Sequence, residues 1–195
     1  MRKFLIYMAS GSSSRFGKNK LLQNLRGKPV FAYGLEALEQ AAARTPDCTV
    51  VVVSRYPQIR AYAAQRGIPA VDCPESAKGA SFTIRAGIAW IPHPLPTDYL
   101  LFCVADQPYL NPDSICALLE KADGKTVTAR LVCGDRPGNP VLFSAMLIPE
   151  LQSLRGDQGG GAVAKRHACT AVPIRSAREF LDLDEETDLM QILEE

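Results

Sequence analysis

No apolar run in the 195 residues approaches the length that spans a bilayer, which excludes a membrane-embedded role. Net charge is only +1, so neither a nucleic-acid backbone nor an anionic membrane surface is the expected partner. Histidine is scarce: His93 sits in a Pro-rich turn and His167 beside Lys165 and Arg166, both read as surface positions. The six cysteines are dispersed, with no C-x2-C pair to hold zinc, and this pattern fits a reduced, cytoplasmic setting better than a disulfide framework. Cys103 lies in an apolar run and reads as a small buried hydrophobe. Met1 to Met8 has the basic and apolar parts of a secretion signal. Its apolar part is short and gives way to Gly and Ser, which reads instead as a first buried strand.

Two nucleotide signatures are also missing. In Met8-Ala-Ser-Gly-Ser-Ser-Ser-Arg-Phe-Gly-Lys-Asn-Lys20, five residues separate Gly11 from Gly17, and Asn19 follows Lys18. A P-loop needs four residues there and a Ser or Thr after its Lys. The dinucleotide fingerprint fails because no glycine stands two positions after Gly11. What remains is a Gly/Ser loop with Arg15, Lys18 and Lys20, directly after a strand.

The length fits a single domain over residues 1–195, and 47% hydrophobic with 22% charged residues is the composition of a globular protein. Strands are expected at Lys3 to Met8, Cys48 to Ser54, Pro69 to Val71, Tyr99 to Val104, Thr126 to Val132, Gly138 to Phe143 and Thr170 to Ile174. Helical spacing covers Pro29 to Ala43, Pro57 to Arg66, Ala80 to Trp90, Asn111 to Lys121 and Ser144 to Leu154. A further helix is expected after the Gly156 to Gly161 loop, and a closing one from Glu185. Several strands are wholly apolar, as in a sheet covered on both faces, so the class is α/β with a mainly parallel sheet. No repeat or low-complexity tract interrupts it.

In such sheets ligands bind beyond the carboxyl ends of the strands. There the backbone amides from Gly11 to Ser14 can form an anion nest, with Arg15 and Lys20 supplying cations for phosphate. The alternative is a solvated Ser/Gly connection. Asp106 follows a buried strand and suits Mg2+, which takes one or two carboxylates beside phosphate oxygens; a turn or capping role reads equally well. The acidic group Asp182, Asp184, Glu185, Glu186 and Asp188 complements a helix N-terminus, and one member could be a second metal ligand.

The segment Met8 to Leu22 resembles the signature of the molybdenum cofactor cytidylyltransferases and related MobA-like nucleotidyltransferases. The resemblance runs on through Gly79-Ala-Ser-Phe-Thr-Ile-Arg-Ala-Gly87, Ala105-Asp-Gln-Pro-Tyr-Leu110, Gly138-Asn-Pro-Val-Leu-Phe143, Gly156-Asp-Gln-Gly159 and Asp182-Leu-Asp184. It implies a three-layer α/β/α, Rossmann-like sheet, the nucleotide-diphospho-sugar transferase fold. By the same resemblance Ala9, Ser10, Gly11, Ser12, Ser13, Ser14, Arg15, Lys20, Gly79, Ser81 and Asp106 surround the nucleotide, with Arg15, Lys20 and Asp106 catalytic. Asp106 and Asp182 would hold Mg2+, with Asp184 the substitute, while Asn139 and Asp157 face a molybdopterin whose terminal phosphate attacks CTP. The product would pass to a molybdenum hydroxylase.

Three positions depart from the pattern. Gly160-Gly161 stand where many members have Ala-Arg, which removes a cation from the acceptor side. Glu186 replaces a customary Pro. Ser10 stands where guanylyl-transferring relatives carry Gly, and a side chain there leaves less room for a purine, which favours cytidine. Transfer from GTP, or to a sugar or polyol phosphate, is the first alternative. A non-catalytic molybdopterin-binding chaperone is the second, although it would not need the carboxylate of Asp106.

Overall fold

The computed structural model describes residues 1–11 and 19–183. The chain opens with β1 (Lys3–Met8), then a hairpin of β2 (Asn24–Leu25) and β3 (Lys28–Pro29) that leads into helix α1 (Val30–Arg44). Strand β4 (Cys48–Ser54), helix α2 (Pro57–Gln65), strand β5 (Ala70–Asp72), helix α3 (Ala80–Trp90) and strand β6 (Tyr99–Val104) follow. Then come α4 (Pro112–Leu119), β7 (Thr128–Cys133), β8 (Arg136–Ser144), α5 (Ile148–Ser153), α6 (Gly161–Ala164) and β9 (Cys169–Pro173). No described helix is long and apolar enough to cross a membrane.

Seven strands form one sheet in the order β5-β4-β1-β6-β8-β7-β9. All neighbours run parallel except the pairs on either side of β8, which is antiparallel to both β6 and β7. Strands β1, β4 and β6 are apolar on both faces, and the helices supply the cover. Leu5 and Tyr7 face α1, α2 and α4, whereas Phe4 and Ile6 face α3, α5 and α6. The expected three-layer α/β/α sandwich is the observed one.

Two glycines let the helices close on β1. A Cβ at Gly34 of α1 would stand 2.7 Å from the Tyr7 hydroxyl, and one at Gly87 of α3 would stand 2.5 Å from Ile6. That hydroxyl is itself fully buried and donates to the Phe31 carbonyl at 2.6 Å. Cys103 is likewise buried, and burial pushes its thiol well up.

Several expected boundaries move. The β2–β3 hairpin is absent from the periodicity reading, since it turns on Arg26 and Gly27 at φ 48° and 95° and has only two residues per strand. Ser144 to Leu154 is not one helix: β8 runs through Ser144, whose hydroxyl accepts from the Met146 amide, and α5 starts only at Ile148. The helix expected from Glu185 lies outside the described residues.

The start of the sheet is locked by one buried carboxylate. Asp98, with 2% of its side chain exposed, accepts from Arg2 Nε at 3.2 Å, from the Arg2 amide at 3.2 Å and from the Leu95 amide at 2.8 Å. Burial pushes this carboxyl up, but the bonds from Arg2 and Leu95 outweigh it and hold the group below its ordinary value. A carboxylate so depressed stabilises the fold above its unfolded pKa of about 3.9, and the gain is lost as pH falls through its folded value. Asp98→Asn is therefore expected to destabilise the protein by about 2 kcal/mol at pH 7, with the gap from wild type closing below about pH 4. Urea unfolding at the two pH values reads this directly, and equal midpoints at pH 7 would remove the role assigned to Asp98.

Candidate active site

Sheet order places a crevice where β1 has β4 on one side and β6 on the other, so connections leave in opposite directions. Met8, Val53 and Val104 stand in register at the carboxyl edge. Because β8 runs the other way, its beginning reaches the same edge. Val141 pairs with Phe102, which brings Asn139, two residues earlier, level with Val104.

The loop after β1 leaves the sheet tied to the end of β4. The Ala9 amide donates to the Val53 carbonyl at 2.9 Å, and the Ser54 hydroxyl donates to the Ala9 carbonyl at 2.5 Å. Ser10 is buried; its hydroxyl donates to the Val53 carbonyl at 3.2 Å and accepts from the Arg55 amide at 3.1 Å. The side chain expected to narrow the space for a base is thus turned toward β4. Tyr56 donates to the Gly11 carbonyl at 3.0 Å, and among the described residues nothing lies within 4 Å of a Cβ built on Gly11. Ser12, Ser13, Ser14 and Arg15 lie outside the described residues.

Beyond this loop lies a cleft of about 230 Å3, walled by Ser10, Gly11, Ser76, Gly79, Asp106 and Asp157 among others. Lys20 reaches its wall from the single turn Lys20–Leu22, capped by the Asn19 side chain. Lys20 Nζ lies 2.8 Å from Asp106 Oδ2, with only 9% of the lysine side chain exposed. Two residues expected on the nucleotide from distant parts of the chain thereby meet.

Gly79 forms the opposite wall. Its φ of 126° belongs to glycine, and an added Cβ would stand 2.3 Å from the Gly156 carbonyl carbon. The Ser81 amide donates to the Gly156 carbonyl at 3.0 Å. Ser81 itself is fully buried, its hydroxyl without a partner, and the cleft is lined instead by Ser76 and Thr83, which sequence reading passed over. Ser76 sits in a short helical turn whose approach to β6 no local pattern announces.

Asp182 is carried to the site by a strap. Glu179 accepts from the Asn111 amide at 3.1 Å and the Ser114 hydroxyl at 3.0 Å, and the Leu183 amide donates to the Asp106 carbonyl at 3.0 Å. Gln107, 3% exposed, donates to Asp182 Oδ1 at 2.8 Å. Asp182 and Asp106 are thus neighbours by two connections, while Asp184 lies outside the described residues. Among the described residues no three His, Cys, Asp or Glu side chains cluster as a metal site. Two carboxylates suffice for a hard divalent ion that keeps phosphate and water ligands, and the ammonium on Asp106 already shows that carboxylate accepting a cation. Both donors are the hard carboxylate oxygens that a divalent ion such as Mg2+ takes.

A second groove of about 500 Å3 adjoins the cleft across Met8, Ala80 and Val104. It holds Asn139, Arg130, Lys165 and the glycines Gly159 to Gly161. Asn139 thus lies in this groove, whereas Asp157, grouped with it from sequence, lines the first cleft. Both histidines stand elsewhere; His167 bonds Glu150 at 2.7 Å.

A family model described as MobA-like NTP transferase domain matches residues 5–171. The purine catabolism protein PucB of Bacillus subtilis (strain 168) is 24% identical over 187 residues, covering 92% of this chain and 89% of PucB. The crystal structure of Rv0371c from Mycobacterium tuberculosis H37Rv superposes with a TM-score of 0.80 at 22% identity over the full length of both chains. The same mycobacterial protein is also known in complex with manganese. The molybdopterin-guanine dinucleotide biosynthesis protein A of Archaeoglobus fulgidus superposes with a TM-score of 0.72 at 15% identity, over 98% of this chain and 97% of that one.

Proposed function

Since the chain belongs to the MobA-like NTP transferase domain family, we propose that this nucleotidyltransferase moves CMP from CTP to the terminal phosphate of molybdopterin and releases pyrophosphate. The observation that carries the reading is the Lys20–Asp106 pair, set in the wall of a cleft that opens onto a second groove. One cavity takes the nucleotide and the other the acceptor, with the reacting phosphates meeting at Met8, Ala80 and Val104. An acceptor phosphate oxygen attacks the α-phosphorus, and the bond to the β-phosphate oxygen breaks. No protein nucleophile is consumed.

Two anions must approach, so positioning and charge neutralisation carry the catalysis. Lys20 and Arg15 stabilise the charge that gathers on pyrophosphate. Asp106 and Asp182 would hold Mg2+, with Gln107 fixing the orientation of Asp182. That ion, when bound, supplies further neutralisation of phosphate oxygens. The product passes to a molybdenum hydroxylase in the cytoplasm.

The orientation of Ser10 favours a second reading in which GTP replaces CTP, since its hydroxyl is engaged by the Val53 carbonyl and the Arg55 amide. Pyrophosphate release from each of the four NTPs, with and without molybdenum cofactor, separates the readings. CTP-selective, cofactor-dependent release is expected. GTP selectivity would overturn the base, and release only with a sugar phosphate would overturn the acceptor.

A further inference from the structure

Arg130 is an unusual residue to find on a sheet face covered by helices. It pairs in register with Val141, which pairs with Phe102, so all three side chains share the face that borders the second groove. One arm of the guanidinium donates to the Gly138 carbonyl at 3.2 Å, which holds the group in place. Its Nε is buried and has no hydrogen-bond partner among the described residues. An unmet charged donor of this kind costs free energy unless a ligand meets it.

Lys165, just past α6, lines the same groove and has no carboxylate partner among the described residues. Between these cations and the wall shared with the nucleotide cleft lies a floor without side chains. A Cβ added at Gly159 or Gly161 would meet nothing within 4 Å, so these glycines open the groove instead of permitting tight packing. Phe102, Val141 and Phe143 complete it as an apolar wall.

We propose that Arg130 and Lys165 form an anion clamp that selects the acceptor. The groove takes a phosphorylated molecule with a flat, partly apolar body that bears further negative charge apart from its reacting phosphate. A neutral polyol or sugar body leaves both cations unmet. The clamp deepens the nucleotidyltransferase reading and rests on it. It also accounts for two cations on a groove that lacks a side chain at position 161.

The test is steady-state kinetics of Arg130→Met, Arg130→Lys and Lys165→Met, with molybdenum cofactor as acceptor and nucleotide affinity measured separately by calorimetry. The KM for the cofactor is expected to rise about tenfold for each Met variant, with kcat falling far less, because a hydrogen bond to a charged group is removed. Arg130→Lys should recover part of the loss, and CTP affinity should stay within about twofold of wild type. An unchanged cofactor KM, or equal losses of cofactor and nucleotide affinity, would overturn the clamp. If wild type uses the cofactor and the variants leave its KM unchanged, the clamp falls alone; if wild type instead uses ribitol phosphate and the variants leave that KM unchanged, both the clamp and the cofactor reading fall.

Discussion

Replacing Asp106 by Asn is expected to lower pyrophosphate release by about three orders of magnitude while leaving the fold intact. The carboxylate stands two residues past the end of β6 with 23% of its side chain exposed, so it contributes little to the core. It pairs with Lys20 at 2.8 Å, and an Asn amide oxygen can still accept from that ammonium. Stability should therefore change by less than about 2 kcal/mol, read by urea unfolding. What the substitution removes is the negative charge, and with it the group that would anchor a divalent ion beside the triphosphate. Turnover close to wild type at saturating Mg2+ would show that the ion is held elsewhere. Loss of turnover together with loss of cooperative unfolding would assign Asp106 to structure instead.

Gly79→Ala should be strongly damaging, because strain and overlap act together there. The backbone at φ 126° lies where a side chain costs about 1–3 kcal/mol in strain. Overlap adds about 1–3 kcal/mol more, since the methyl would stand 2.3 Å from backbone atoms that no rotamer change can move. A total loss of about 2–6 kcal/mol is expected. Relief by parting the two segments would widen the cleft, so nucleotide affinity should fall even in the folded fraction. Chemical denaturation and nucleotide titration together measure this, and wild-type values in both would refute the contact between Gly79 and Gly156.

Much of this architecture can be read in advance because β1, β4 and β6 are apolar on both faces, a pattern that amphipathic surface elements do not share. Asp106 and the Ala9 to Gly11 segment were legible for a related reason: each directly follows such a strand, and strand ends are where these sheets bind ligands. The direction of β8 was not legible, since alternation and branching look the same either way along a strand. Its reversal decides that Asn139 and Arg130 reach the site's edge. Arg130 did carry a signal, an arginine between Ala129 and Leu131 in an otherwise small and apolar strand, but only the register with Val141 shows where it points. Asp182 needed the strap anchored by Glu179, a contact across 65 residues of chain.

The reversed strand also divides the molecule's evolutionary freedom. Apart from Asp157, the residues lining the first cleft precede residue 108, and those lining only the second groove, apart from Phe102, follow residue 129. Strands β1 and β6, clamped between helices, belong to a scaffold that both halves share. Exchange of the later half among relatives would thus transplant most of the second groove while the first cleft stays behind, with the Gly79–Gly156 contact as the seam where the two halves must agree.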